Sequence, residues 1–244
     1  MNIVEHLMEG GDKLLDKTLF LNTSKIGYLL REPSWAPSET WVSMQGKVCV
    51  VTGGTSGLGR VVSTRLAGLG ARVYLLCRDE ERGRRAQFEI MNSTQNVDVF
   101  LEIVDVSDAE SVRDFADRFA AKEQRVDVLI NCAGVFKTSR ETTDSGLEAT
   151  FATNTLGPFL LTNLLMPALR RSAAARVINV SSAAMYFAKL NLDDPQFQHR
   201  PYVGPLAYAE SKRAEVELSH CWSERLQAST VAVHAMHPGW ADTP

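Results

Sequence analysis

Nowhere does this chain run about 18 apolar residues together, the length a membrane-spanning helix needs, and its N-terminus lacks a basic stretch followed by an apolar core. Neither a transmembrane span nor a secretory signal is therefore expected. Cysteine is scarce. Cys49, Cys77, Cys132 and Cys221 are dispersed without CxxC spacing, three of them in or beside expected strands, so they read as reduced core thiols of an intracellular, cytoplasmic protein. No metal-ligand set is expected. Charge of one sign is also missing: 26 basic against 29 acidic residues leave a net charge of -3, with no block of Lys and Arg. That excludes the electrostatic footprint of a nucleic-acid partner.

What is present is apolar material, 45% of 244 residues, enough for one sizeable α/β core. The rest is organised around residues 47–59, KVCVVTGGTSGLG, where a β-branched run (Val48, Val50, Val51) meets a glycine-dense turn and then an apolar pattern at helical spacing. The pattern reads strand, tight turn, helix. Glycines allow a phosphate to approach the backbone, and the helix N-terminus offers unpaired N–H groups to an anion. A turn that merely reverses the chain is the alternative.

Residues 52–59, Thr52-Gly53-Gly54-Thr55-Ser56-Gly57-Leu58-Gly59, resemble the TGxxxGxG cofactor turn of the short-chain dehydrogenase/reductase family, with its glycines at Gly53, Gly57 and Gly59. A second expected strand, 72–77, ends in Cys77 followed by Arg78-Asp79. The residue type there separates the cofactors, since an acid accepts from a free 2′-hydroxyl and an arginine suits a 2′-phosphate. Arg78 favours NADP(H). Asp79 keeps NAD(H) open, unless it only caps the next helix or pairs with Arg82.

A third strand is expected over 97–106, with Ser107 opening a helix and Glu110 in capping-box position. The resemblance implies that Asp105 meets the adenine amino group, with Val106 beside it; an ordinary strand-end turn is the alternative. A fourth run, 126–130, leads into Asn131-Cys132-Ala133-Gly134, similar to the family's NNAG motif. There the family implies that Asn131 braces the sheet while Ala133 and Gly134 let the cofactor lie against the backbone. A long helix is expected over 145–171 with Leu147, Phe151, Leu160, Leu164 and Leu165 as its core stripe. It carries Asn154, which in the family bends the helix and holds a water feeding protons to the active site. Pro158 is an independent cause for a kink.

A fifth strand, 176–180, is followed by Ser181 and Ser182, of which the family's pattern makes Ser182 catalytic; Met185, where many members have Gly, is expected to narrow the pocket. The connection from 183 to 206 resembles the retinol-dehydrogenase branch in length. Its aromatics, Tyr186, Phe187, Phe197 and Tyr202, read as a lid over an apolar substrate or as a surface excursion with a few packed rings. Tyr208-Ala209-Glu210-Ser211-Lys212 then opens a helix. The i, i+4 spacing puts phenol and ammonium on one face, and a neighbouring cation makes a phenol competent as a base near neutral pH. A last strand, 230–236, runs into Pro238-Gly239 and Thr243, similar to the family's PG motif and the threonine that contacts the carboxamide.

The resemblance covers about residues 46–244. It implies an α/β Rossmann-type doubly wound parallel sheet of order 3-2-1-4-5-6, residues 1–46 being an N-terminal extension and 47–244 the dinucleotide-binding and catalytic domain. It also implies an oxidoreductase, such as a carbonyl reductase, that interconverts a carbonyl and an alcohol on a small lipophilic substrate. Tyr208 is the expected acid/base, Lys212 its modulator and ribose anchor, and Ser182 the substrate-oxygen ligand. A catalytically silent nucleotide-binding scaffold is the rival, and an epimerase would need a larger C-terminal substrate domain. A homo-oligomer stays open. So does a membrane-surface contact through the apolar stretch in 14–30, against the alternative that this stretch packs on its own domain. Family members continue past the PG motif into a further strand, so a chain ending at Pro244 is expected to lack that edge strand, to be less stable and to turn over slowly.

Overall fold

A computed structural model describes residues 25–31, 42–239 and 241. The run Val48–Thr52 forms β1, and all five of its residues are buried, the pattern of a strand covered on both faces. Five more strands join it: β2 (Arg72–Cys77), β3 (Val99–Ile103), β4 (Val128–Asn131), β5 (Ala175–Val180) and β6 (Val231–Met236). All pairings are parallel and the order is β3-β2-β1-β4-β5-β6, as expected from the sequence. The helices are α1 (Lys25–Arg31), α2 (Gly57–Gly68), α3 (Glu80–Thr94), α4 (Ala109–Lys122), α5 (Gly157–Arg170) and α6 (Gly204–Arg225). None of the described helices is long and apolar enough to cross a membrane.

Alternation along β1 divides the core. Val48 and Val50 pack with Phe115 and Phe119 of α4, Leu161, Leu165 and Leu169 of α5, and Trp222 of α6. Cys49 and Val51 face the other way, toward Ala67 of α2 and Ile90 of α3. Each fully buried large side chain contributes about 1.5–3 kcal/mol of transfer free energy, which is what holds helices on both faces of the sheet.

Four expectations are corrected. The helix after β3 begins at Ala109, not at Ser107: Asp108 is its N-cap and accepts from Glu110 N, while Ser107 donates its hydroxyl to Asp105. The long helix does not start at 145, because Thr142 pairs with Glu148 in a bridge and Glu148 caps a short turn, Ala149–Phe151. A π-helical turn, Ala152–Leu156, then precedes α5. Its extra residue rotates α5 relative to a continuous helix, so the buried stripe is Leu161, Leu165 and Leu169, with Leu164 exposed. Finally, α6 starts at Gly204, one turn before Tyr208, since Pro205 in a first turn forfeits no hydrogen bond.

In the N-terminal segment, Ile26, Leu29 and Leu30 of α1 are exposed rather than packed. Leu14, Leu15, Leu19, Phe20 and Leu21 lie outside the described residues, as does Thr243.

Candidate active site

The strand order reverses between β1 and β4, and a cleft of about 640 Å³ opens there, lined by residues at the carboxyl ends of all six strands. This is where an open α/β sheet binds ligands. The glycine turn forms one wall. Gly53 has φ +64°, a left-handed backbone, and a Cβ on Gly59 would collide with the Gly53 carbonyl. Both positions exclude side chains, so the turn packs closely against the start of α2 and the end of β4 where it lines the cleft, the kind of turn beside a helix N-terminus that suits a phosphate. Thr55, Ser56, Gly57 and Leu58 line the same wall.

Three expected site residues are placed behind the walls instead. The Thr52 hydroxyl accepts from the N–H groups of Cys132 and Ala133, both at 3.0 Å, tying the end of β1 to that of β4. Asn131 donates to Asn179 Oδ1 at 2.7 Å and to Thr162 at 3.2 Å, bridging β4, β5 and α5. Asn154 accepts from Val135 N at 2.8 Å and donates to Val135 O and Ser211. It is fully buried inside the π-helical turn. Pro158 stands four residues on and has no N–H, so the α-helical partner of the Asn154 carbonyl is missing. The bend therefore has a backbone cause at the position the sequence marks.

Arg78, exposed at the end of β2, lines the cleft together with Arg82. Asp79 accepts from Arg82 N at 3.0 Å and so caps α3. Its carboxylate is engaged at the helix end, as one of its expected alternatives had it. Asp105 and Val106 line the adjoining wall, and Asp105 Oδ1 accepts from Ser107 N and Oγ at 2.8 and 2.6 Å. Ala133, Gly134, Pro238 and Gly239 close the far side.

Ser182, Tyr208 and Lys212 all line this cleft. Both serines line the cleft, and they differ in what their hydroxyls do: Ser181 is buried and donates to Lys212 O at 2.7 Å, whereas Ser182 caps the 3-10 turn Ala183–Phe187 by accepting from Ala184 N. The Tyr208 ring lies 5.8 Å from Lys212 Nζ and packs edge-on against Phe136, itself at the cleft. Met185 does not line the cleft, so it does not narrow it; nor do Tyr186, Phe187, Phe197 and Tyr202.

The connection before α6 is pinned rather than free. Arg200 grips Glu210 through both η nitrogens at 2.8 and 2.5 Å and lies 3.7 Å above the buried Phe197 ring, while Tyr202 donates to Glu148 at 3.2 Å. Phe197 and Tyr202 are thus packed rings, and only Tyr186, Phe187, Leu192 and Val203 present exposed apolar surface.

Two lining or supporting groups carry no motif in the sequence. His237 lines the cleft with both ring nitrogens buried and without a partner among the described residues, and burial lowers its basicity. Glu215, one turn beyond Lys212, accepts from Nζ at 2.7 Å. The i, i+3 spacing from Lys212 was the available signal.

The family model described as short chain dehydrogenase matches residues 47–244. Dehydrogenase/reductase SDR family member 12 of Bos taurus is 41% identical over 221 residues, 91% of this chain and 69% of that one. Retinol dehydrogenase 12 of Mus musculus is 43% identical over 200 residues, 82% of this chain and 63% of that one. Among solved structures, a metagenomic short-chain oxidoreductase in complex with NADP superposes with a TM-score of 0.67 at 30% identity, covering 81% of this chain and 84% of the other. The chain belongs to the short-chain dehydrogenase/reductase family. It is accordingly an oxidoreductase of CH-OH and C=O groups that draws on a nicotinamide dinucleotide.

Proposed function

We propose that this protein reduces a lipophilic aldehyde or ketone, or oxidises the matching alcohol, with NADP(H) as the favoured cofactor and NAD(H) as the alternative. The observation that supports the reading is that Ser182, Tyr208 and Lys212 line the same cleft as the glycine turn, in which Gly53 and Gly59 leave no room for side chains. The glycine turn and the helix α2 N-terminus would hold the pyrophosphate, and Arg78 with Arg82 a 2′-phosphate. Asp105 would meet the adenine, and Pro238 and Gly239 the nicotinamide end. When bound, the cofactor supplies or accepts the hydride.

The chain's own residues do the rest. Ser182 holds the substrate oxygen, and Tyr208 gives that oxygen a proton in reduction or takes it in oxidation. Lys212 places a positive charge beside the phenol and one N–H toward the ribose. The Asn154 carbonyl, which finds no i+4 donor at Pro158, would take a relay water. Thr52 and Asn131 fix the walls.

Lipophilic substrates are supported by Phe136, which lines the cleft beside Tyr208, and by the names of the retinol dehydrogenase relatives. In this reading residues 47–244 form the cofactor-binding and catalytic unit and 1–46 a leading segment. The four free cysteines fit an intracellular setting. The test is NADPH and NADH titration by fluorescence, followed by turnover on a panel of aldehydes, ketones, retinoids and steroids. Binding of neither dinucleotide would overturn the proposal; binding without turnover of any member would favour the silent scaffold.

A further inference from the structure

The Lys212 ammonium has three N–H donors. One goes to the Val180 carbonyl at 2.9 Å and one to Glu215 Oε1 at 2.7 Å. The third is left for the cleft, where a Cβ built on Gly134 would lie 3.3 Å from Nζ. The side chains of Lys212 and Glu215 are only 5% and 2% exposed, so their attraction is weakly screened. Glu215 Oε2 is buried with no partner. The Glu215 backbone is fixed as well: Asn131 donates to Asn179, Asn179 to Ser219, and Ser219 to the Glu215 carbonyl. A carboxylate is thus locked beneath the one cation on which the proposed cofactor's ribose depends.

We propose that Glu215 is a positioning residue that holds Lys212 at the cleft floor and, through its own charge state, adjusts how strongly Lys212 grips the cofactor. This rests on the cofactor reading above. The groups that face the pair are few. On α6 they are Lys212 and Tyr208. From β4 comes the Cys132 thiol, which burial holds up and hence neutral. Among the described residues β5 offers Asn179 and the Val180 carbonyl, the π-helical turn Asn154, and the segment after β6 His237, whose basicity burial lowers. Lys212 is the charge that acts on Glu215.

Burial pushes the Glu215 carboxyl up from 4.5 to about 7, with Lys212 opposing the rise. Below that point a neutral Glu215 leaves the ammonium charge whole. Above it, the carboxylate draws the ammonium inward and places a negative charge under a polyanionic ligand.

Glu215→Gln keeps the acceptor for Lys212 and removes the titration. NADPH dissociation constants are measured for both proteins by fluorescence, and their ratio is taken so that the cofactor's own ionisation cancels. The wild type should match the variant at about pH 6 and bind at least about threefold more weakly at about pH 8.5, the linkage value for a movement of about half a pH unit in the Glu215 midpoint. A ratio that stays flat while both proteins bind overturns the role of Glu215 and leaves the cofactor reading standing. Failure of both to bind either dinucleotide overturns both. Should the variant not fold, NMR of the wild type with isotope-labelled glutamate carboxyls decides: one carboxyl must titrate near neutrality and its midpoint must rise on adding NADPH. Absence of such a carboxyl refutes the proposal.

Discussion

Arg78→Ala should cost NADPH about tenfold in affinity while leaving NADH nearly unchanged. The guanidinium stands at the end of β2, lines the cleft and is exposed. A hydrogen bond to a charged group is worth about 1.5–3 kcal/mol, and solvent on one side argues for the low end, which converts to about tenfold. Asp79 lines the same wall, with Oδ1 accepting from Arg82 N at the start of α3. Arg82, one turn further on, lines the same wall, so a single substitution leaves one cation in place and the double Arg78→Ala, Arg82→Ala variant should lose about a hundredfold. Fluorescence titrations of both cofactors against the three proteins, at low and high salt, measure this; the NADPH deficit should shrink as salt screens the contact. Equal losses for NADH and NADPH, or a wild type that prefers NADH, would refute the assignment of this wall to a 2′-phosphate.

Tyr208→Phe removes only a hydroxyl, so the variant should bind NADPH as the wild type does and turn over at less than about a hundredth of its rate; single-turnover assays on an accepted substrate decide, and retained turnover would remove the phenol from the chemistry. Gly59→Ala drives a methyl into the Gly53 carbonyl, so overpacking of about 1–3 kcal/mol should lower the melting temperature by several degrees and weaken NADPH, whereas an unchanged melt would show that the turn has room. The pH dependence of stability is set in part by Glu215: its folded value of about 7 exceeds its ordinary 4.5, so its contribution is complete below the lower value and lost as pH rises through the upper one. Melting temperatures of the wild type should therefore fall, relative to Glu215→Gln, between about pH 5 and about pH 8. Parallel curves would contradict the shifted carboxyl.

The fold is legible in the sequence because its signals are local. Buried parallel strands read as short β-branched runs, and each of the six appears within a few residues of where such a run lies. The helix through Asn154 is not legible in its phase. Its apolar spacing reads as one period across 145–171, but a π-helical turn inserts a residue, and the mark of that insertion, a proline four residues after a buried asparagine, looks the same in sequence as an ordinary kink.

The site divides along the same line. Residues that touch the cleft through backbone or through a terminal side chain, such as Gly59, Arg78, Ser182 and Tyr208, sit at strand and helix ends, where one sequence position fixes one location. Residues that act through another residue do not. Thr52 and Asn131 belong to the motifs yet do not line the cleft: the Thr52 hydroxyl and the Asn131 amide N–H groups find their partners on neighbouring elements instead. Arg200 reads in sequence as a loop charge and becomes the clamp between that loop and Glu210 only once α6 has folded. Glu215 is the sharpest case. On an exposed helix, Lys and Glu at i, i+3 would be a solvated pair worth a few tenths of a kcal/mol, and the sequence does not say that it is buried while Arg213 and Glu217, at i, i+4, form a partly exposed pair on the neighbouring face. Burial against β5 and β4 turns the one pair into a control on the active lysine and leaves the other as surface decoration, so the chemistry of this site is decided by which face of α6 meets the sheet.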